Sequence, residues 1–239
     1  MFTMGDIKIT VVVAMWNGGH LTDSVIKQLN EQSYDSFDLV VVDDGSDNPY
    51  TIPSFDKGSS WLIRHPENLG TSNAWNSGIT KAIDLGADYV CVLSNDVQIS
   101  MNLIEVMVKW HNQGWDVSPV VSDMPGNQYM CDFDGPYRQG LHGICFSVSS
   151  DKYKHRYSTH GYYFDTNFRA ADGEDVDFWM WYWVEGYSSH VIVKECSVWG
   201  NLCYTSSRSV KPNGPYMSEK WKDYDIGLVI NEFCGLNGE

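Results

Sequence analysis

Residues 37–49 read FDLVVVDDGSDNP. An apolar, β-branched run, Phe37 to Val42, ends abruptly in Asp43-Asp44-Gly45-Ser46-Asp47-Asn48-Pro49, a dense turn cluster. That is the profile of a buried strand that delivers carboxylates to its own carboxyl end. The same grammar repeats on either side. Ile7 to Ala14 is another β-branched run, fit for a central strand, and Asn17-Gly18-Gly19-His20 breaks it. Leu21 to Gln32 follows as an amphipathic helix, with Leu21, Val25, Ile26 and Leu29 at helical spacing. Trp61 to Arg64 makes a short third strand. Asn68-Leu69-Gly70-Thr71-Ser72 opens a helix running to about Leu85. Tyr89 to Leu93 is a fourth strand, closed by Ser94-Asn95-Asp96. Strand–helix alternation of this kind predicts an α/β fold, a mostly parallel central sheet with helices on both faces. In such sheets ligands collect beyond the carboxyl ends of the strands. Asn17, Asp43, Asp44 and Asp96 all stand there.

The second half is less regular. Ile99 to Gln113 reads as a helix, Val117 to Ser122 and Gly143 to Val148 as strands, and residues 123–140 as a loop. Glu174 to Glu185 reads as a helix carrying Phe178, Trp179, Trp181, Tyr182 and Trp183. Alternating tryptophans cannot share one helix face, so some are expected on a second surface. His190 to Lys194 reads as a strand. From Thr205 onward Ser, Pro, Asn and Gly predict a partly mobile tail. No repeat or linker divides the chain. The expectation is one domain over 1–239, with residues 1–98 as one half and residues 99–239 as an irregular second half.

Composition narrows the partners. The 239 residues carry 16 Lys and Arg against 31 Asp and Glu, a net charge of −15. Such a surface repels nucleic acid and disfavours it as a partner. Six cysteines, at 91, 131, 145, 196, 203 and 234, show no C-x-x-C spacing, which argues against a zinc ribbon and for a reducing, cytoplasmic setting. No apolar stretch approaches the roughly 18 residues of a membrane span, and no secretory leader is visible.

Five blocks in order carry a resemblance. They are ITVVVAMWN (9–17), LVVVDDGS (39–46), NLGTSNAWNSGITKA (68–82), VLSNDV (92–97) and FDTNFRAADGEDVDFWMW (164–181), with a fainter echo in PYMSEKW (215–221). Together they resemble the family 2 glycosyltransferases of GT-A fold. The resemblance implies an enzyme that moves a sugar from a nucleotide sugar, with UDP the favoured nucleotide, to an acceptor hydroxyl, with a saccharide the favoured acceptor. A hydroxylated base in phage DNA or a protein is an alternative acceptor. A nucleotidyltransferase and a non-catalytic nucleotide-sugar-binding module are the competing classes. The basic, Gly-rich loop expected of a nucleotidyltransferase is missing after the first strand.

The resemblance also implies roles. Asp44, with Asp43 beside it, would read the donor base through a charge-assisted hydrogen bond; the plain alternative is an Asx-turn. Asn17, Asn68 and Asn95 would lie along the nucleoside, or serve as turn residues. Trp75 stands where relatives carry a basic residue, and either stacks on the donor or fills the core. Asp96 occupies the place of the Asp-x-Asp motif and would hold Mg2+ or Mn2+ against the diphosphate; a helix cap is the alternative. No histidine aligns with the family's late metal ligand, so metal independence stays open. Glu174 and Asp175 would be the catalytic pair, with Asp175 the general base of an inverting displacement. Favourable charges at a helix start are the alternative. Asp177, Trp179 and His142 are further candidates for acceptor or sugar contact, against core roles. Arg208 and Lys211 would close over the diphosphate, or be surface charges.

Overall fold

The computed structural model describes residues 7–122, 143–168, 173–200 and 213–224. The first half alternates as expected: β1 (Ile9–Met15), α1 (Gly19–Asn30), β2 (Asp38–Asp43), β3 (Ser60–Arg64), α2 (Thr71–Asp84) and β4 (Tyr89–Ser94). Then come β5 (Val97–Ile99), α3 (Leu103–His111), β6 (Asp116–Ser122), β7 (Cys145–Ser149), α4 (Ser150–His160), α5 (Glu174–Val184), β8 (His190–Gly200) and α6 (Gly214–Lys220). The strands form one sheet in the order β3-β2-β1-β4-β7-β6-β8-β5. The block β3-β2-β1-β4 is parallel throughout. Beyond it, β7 is antiparallel to both β4 and β6, β6 and β8 run parallel, and β5 pairs antiparallel with β8.

Side-chain alternation along β1 explains why both faces need covering. Ile9, Val11 and Val13 point to one side and pack with Val25, Ile26 and Leu29 of α1 and Leu103, Ile104 and Met107 of α3. Val12 points to the other side, among Val40, Val42, Trp75, Ile79, Phe146 and Phe178. A strand buried on both faces must be almost wholly apolar, and β1 is, with Thr10 its one polar residue. On the second face α2 lies close to the sheet at Gly78, where an added Cβ would fall 2.3 Å from Val12 Cγ1. On the same face α5 packs with Phe178, Trp179, Met180, Trp181 and Tyr182 all buried, the state expected of a helix that is apolar nearly all round.

Three departures from the sequence-based expectation matter. The helix expected from Ile99 begins only at Leu103, because Val97–Ile99 is taken as strand β5 by the long β8. Residues 150–160 form α4, which no sequence pattern announces. Part of the expected tail, Gly214–Lys220, is helix α6.

Candidate functional site

Register fixes where the loops emerge. Met15 pairs with Asp43 and Ala14 with Ser94, so β1, β2 and β4 end side by side. At about 4.8 Å per strand, the β2 and β4 ends lie about 10 Å apart across β1. β7 runs the opposite way and starts at this same edge, with Ser94 N donating to Ile144 O at 2.8 Å. The carboxyl ends of the parallel strands and the start of β7 therefore make one rim.

The β1 and β2 loops are laced together. Asn17 takes a left-handed conformation (φ 52°). Its N–H donates to Ser46 Oγ at 2.8 Å, and its side-chain carbonyl accepts from Asp47 N at 2.9 Å. Asn95 comes across from the β4 loop and donates to Thr22 Oγ1 at 3.2 Å. It lies against Gly18, where a Cβ would stand 2.8 Å from its Nδ2. Asn17 and Asn95 thus brace the rim. Asn68 braces it too, accepting from Gly70 N at 3.0 Å.

Asp43 and Asp44 divide their labour. Asp43 is fully buried. Its oxygens accept from Ser46 N (2.9 Å) and Tyr50 N (3.0 Å) and pair with Arg64. Burial pushes this carboxyl up, but the Ser46 and Tyr50 hydrogen bonds and the Arg64 charge bring it below its ordinary value overall. Expected as a nucleotide contact, the Asp43 side chain instead builds the turn and faces inward. Asp44, 4% exposed, accepts from His65 Nδ1 (2.6 Å), Leu69 N (3.0 Å) and Gly70 N (2.8 Å). It draws the 65–70 loop onto the rim. Gly45 (φ +72°) makes this approach feasible, since a Cβ there would fall 2.2 Å from the Glu67 carbonyl carbon.

Asp96 stands half-buried at the end of β4. Its Oδ1 accepts from Ser94 Oγ at 2.7 Å, and its other oxygen takes no hydrogen bond among the described residues. No group of three or more His, Cys, Asp or Glu side chains among the described residues is arranged to hold a metal. The donor set fits a hard cation only in the mode where one carboxylate is completed by substrate phosphates and water.

Asp175 reaches the rim from the other side. Gly173 (φ +94°) turns the chain into α5, and Asp175 follows in the first turn. One of its oxygens accepts from Val176 N at 2.8 Å and the other from Gly143 N at 2.9 Å. Gly143 precedes Ile144, the residue bonded to Ser94. A helix from late in the sequence thus sets a half-buried carboxylate beside the end of β4. Glu174 is buried beside it.

Two expected contacts are corrected. Asp177, read as a candidate for the acceptor, is fully buried. It accepts from Arg156 Nη2 (2.5 Å) and Trp221 Nε1 (2.9 Å) and pairs with Lys220 Nζ (2.8 Å). Lys220 also reaches Asp165 at 2.6 Å, which Tyr216 OH approaches at 2.6 Å. This balanced ionic cluster joins α4, α5, α6 and the segment around Asp165. Trp179, read as a sugar platform, lies in the core with Trp181. Trp75 also resolves to its core reading: its ring meets Phe164 edge-on at 5.0 Å, and its tip comes near Gly143. Asn76 ties α2 to Phe164 through two hydrogen bonds, of 2.7 and 2.8 Å. His142, Arg208 and Lys211 lie outside the described residues.

One residue of the rim is absent from the sequence-based candidates. Trp16 follows the last residue of β1 and is 56% exposed, the most exposed aromatic ring among the described residues. A signal for it exists in the sequence: a tryptophan beyond a central buried strand, next to the turn that holds Asp44, has no core to enter.

Known proteins share the sequence pattern and the fold. Residues 10–163 match the sequence model of "Glycosyl transferase family 2". The amylovoran biosynthesis glycosyltransferase AmsB of Erwinia amylovora is 30% identical over 115 residues, which is 43% of this chain and 37% of that protein. Glycosyltransferase GlyG of Streptococcus pneumoniae serotype 4 is 30% identical over 145 residues, 59% of this chain and 46% of that protein. The chain thus spans less than half the length of these relatives. Among solved structures, S. aureus TarS 1–349 with UDP-GlcNAc superimposes with a TM-score of 0.69 at 13% identity, covering 95% of this chain and 71% of that one. The complex of the same protein with UDP gives 0.62 at 15% identity, covering 80% and 60%. The α/β sheet with its covering helices is therefore of the GT-A type.

Proposed function

The chain belongs to glycosyl transferase family 2, and on that footing we propose that it is an inverting transferase that moves a sugar from a UDP-sugar to a saccharide hydroxyl. The observation that carries this reading is the meeting of Asp44, Asp96 and Asp175 on one rim, two of them from strand ends and one from a distant helix. The nucleoside lies against Trp16 and Asp44, the diphosphate near Asp96, and the sugar toward Asp175. UDP is favoured because a TarS complex contains it and because the name of a Methanococcus voltae relative, 28% identical over 111 residues, specifies UDP-N-acetylglucosamine.

In the proposed reaction the acceptor oxygen attacks the anomeric carbon opposite the diphosphate. A new carbon–oxygen bond forms as the bond to the diphosphate breaks, and the diphosphate leaves with the electron pair. Asp175 takes the hydroxyl proton. Its anchors, Gly143 N and Val176 N, hold the carboxylate in one rotamer. Asp96 would hold a divalent cation shared with the phosphates, which offsets charge on the leaving group. Glu174 supports the acceptor side. The acidic surface fits a neutral acceptor better than DNA.

The test is Asp175→Asn. UDP binding, measured by calorimetry, stays within about twofold of wild type, while kcat falls by about 10^2 to 10^4, the usual worth of a general base. Transfer at the wild-type rate would remove Asp175 from this role. Chelation followed by Mn2+ or Mg2+ titration tests the cation, with loss and recovery of turnover expected.

A further inference from the structure

Behind Asp44 lies a second layer that the transfer chemistry does not use. His65 follows the last residue of β3 and is held by its own N–H, which donates to Asp43 O at 2.9 Å. Its ring is buried between two partners. Nδ1 meets Asp44 Oδ1 at 2.6 Å, and Nε2 meets Ser77 Oγ of α2 at 2.9 Å. A carboxylate only accepts, so Nδ1 carries the hydrogen. In the neutral ring Nε2 is then a lone pair, and the Ser77 hydroxyl must donate to it. Every bond in the chain Ser77 to His65 to Asp44 points the same way.

The consequence falls on Asp44. Its two oxygens offer about four acceptor sites. Oδ1 takes His65 and Leu69 N, and Oδ2 takes Gly70 N. The acceptor site that remains among the described residues is on Oδ2. Three fixed donors occupy its other acceptor sites and stop the group rotating. We propose that His65 and Ser77 are specificity-determining positioning residues, whose one-way hydrogen-bond chain holds Asp44 as a pure acceptor for the imide N–H of uracil or thymine and against cytosine. Cytosine offers a lone pair at the same ring position, so two acceptors would face each other. A site built around one hydrogen bond rejects the analogue that cannot make it. The inference rests on the reading of Asp44 as the base contact.

The experiment measures the ratio of CDP to UDP dissociation constants by calorimetry on the full chain. Wild type prefers UDP. His65→Phe keeps a ring of similar size but removes both hydrogen bonds, and the ratio falls at least about tenfold, the scale of one charge-assisted hydrogen bond. His65→Gln, whose amide N–H can still donate to Asp44, recovers most of it. Ser77→Ala removes one hydroxyl at a half-buried position, leaves the fold intact and lowers the ratio severalfold; it serves alone if His65→Phe fails to fold. A purely structural role for His65 would lower the melting temperature and leave the ratio unmoved. Asp44→Asn is the control, because an amide can donate to cytosine. If Asp44→Asn shifts preference toward CDP while His65→Phe and Ser77→Ala keep the wild-type ratio, the positioning chain is overturned and the base reading stands. If wild type shows no preference, or Asp44→Asn leaves it unchanged, the base reading fails and the chain fails with it.

Discussion

Asp175 and Asp177 sit two positions apart on one helical turn, and their surroundings give them opposite duties. Asp175 is half-buried and held by backbone N–H groups, which a substrate hydroxyl can join. Asp177 is sealed among Arg156, Lys220 and Trp221. Removing Asp177 takes the carboxylate from the fully buried Arg156 and leaves Lys220 with Asp165 alone, so Asp177→Ala should destabilise by about 3–5 kcal/mol. Asp175→Asn keeps one acceptor oxygen for two backbone N–H donors and should cost only about 1 kcal/mol, the worth of one hydrogen bond at a half-buried position. Equal destabilisation by both would erase the distinction. Spacing alone could not separate these acids: Glu174, Asp175 and Asp177 all look like first-turn charges until Asp177 meets Arg156, 21 residues before it, and Lys220, in a later helix. Trp16 makes the complementary case, a site residue read from exposure rather than motif. Trp16→Ala should weaken UDP binding by at least roughly fivefold, the low end of what stacking a base on a ring is worth. Unchanged affinity by calorimetry would take Trp16 out of the nucleoside site.

Among the elements, β1, β2 and β4 were legible because burial on both faces forces a nearly unbroken apolar run, and their turns are rich in Gly, Asp and Asn. What was hidden has physical reasons. β5 is three residues long, and Val97 and Ile99 fit a helical pattern until β8 pairs with them. α4 reads SDKYKHRYSTH; only Ser150, Tyr153 and Arg156 are buried, so it shows no apolar stripe. α6 is a single short stretch held by its cluster with Asp165 and Asp177. The loop between β3 and α2 depends on Gly45. Gly45→Ala puts a Cβ against the backbone of Glu67 and Asn68 at a positive φ. It should cost about 1 kcal/mol or more in stability and should also push Leu69 N and Gly70 N away from Asp44. The combined expectation is a lower melting temperature with weaker UDP binding. Gly78→Ala, where α2 meets Val12, should cost about 1–3 kcal/mol by overpacking and leave the UDP dissociation constant unchanged in the molecules that fold. If Gly45→Ala also left UDP binding unchanged, the loop would not be what holds Asp44.

At the scale of the whole molecule, the sheet has a wet rim and, at the opposite edge, a sealed polar end. There β6 starts at Asp116, fully buried, paired with Lys152 and accepting from Tyr182 OH at 2.5 Å. Next to it His111 stacks on Tyr89 at 3.7 Å between ring centres, donates through Nδ1 to Trp115 O and accepts at Nε2 from Ser147 Oγ. Burial first, and the Lys152 charge after it, lower this histidine to about 4 against an ordinary 6.5, although the Trp115 hydrogen bond acts the other way. The native ring stays neutral while the unfolded chain picks up a proton, so stability is complete above about pH 6.5 and drains as pH falls toward 4. A tenfold difference in proton affinity between the folded and unfolded chain is worth about 1.4 kcal/mol, which makes the loss between pH 7 and pH 5 about 2 kcal/mol. Asp165 acts in a lower window. Burial raises it, but Lys220, Tyr216 and the Asn167 backbone bring it down to about 2, so its contribution is present above about pH 4 and disappears as pH falls through 2. The two windows barely overlap, so urea denaturation at pH 7 and pH 5 leaves Asp165 out; His160, also lowered, by burial first and then by Arg156 and Lys220, contributes equally to wild type and variant, and the difference between them isolates His111. His111→Gln, which keeps an amide able to donate to Trp115 O, should lose less stability than wild type over that interval by about 2 kcal/mol. Parallel losses in both proteins would mean that the sealed end admits the proton, and that acid sensitivity over this interval is set by other groups.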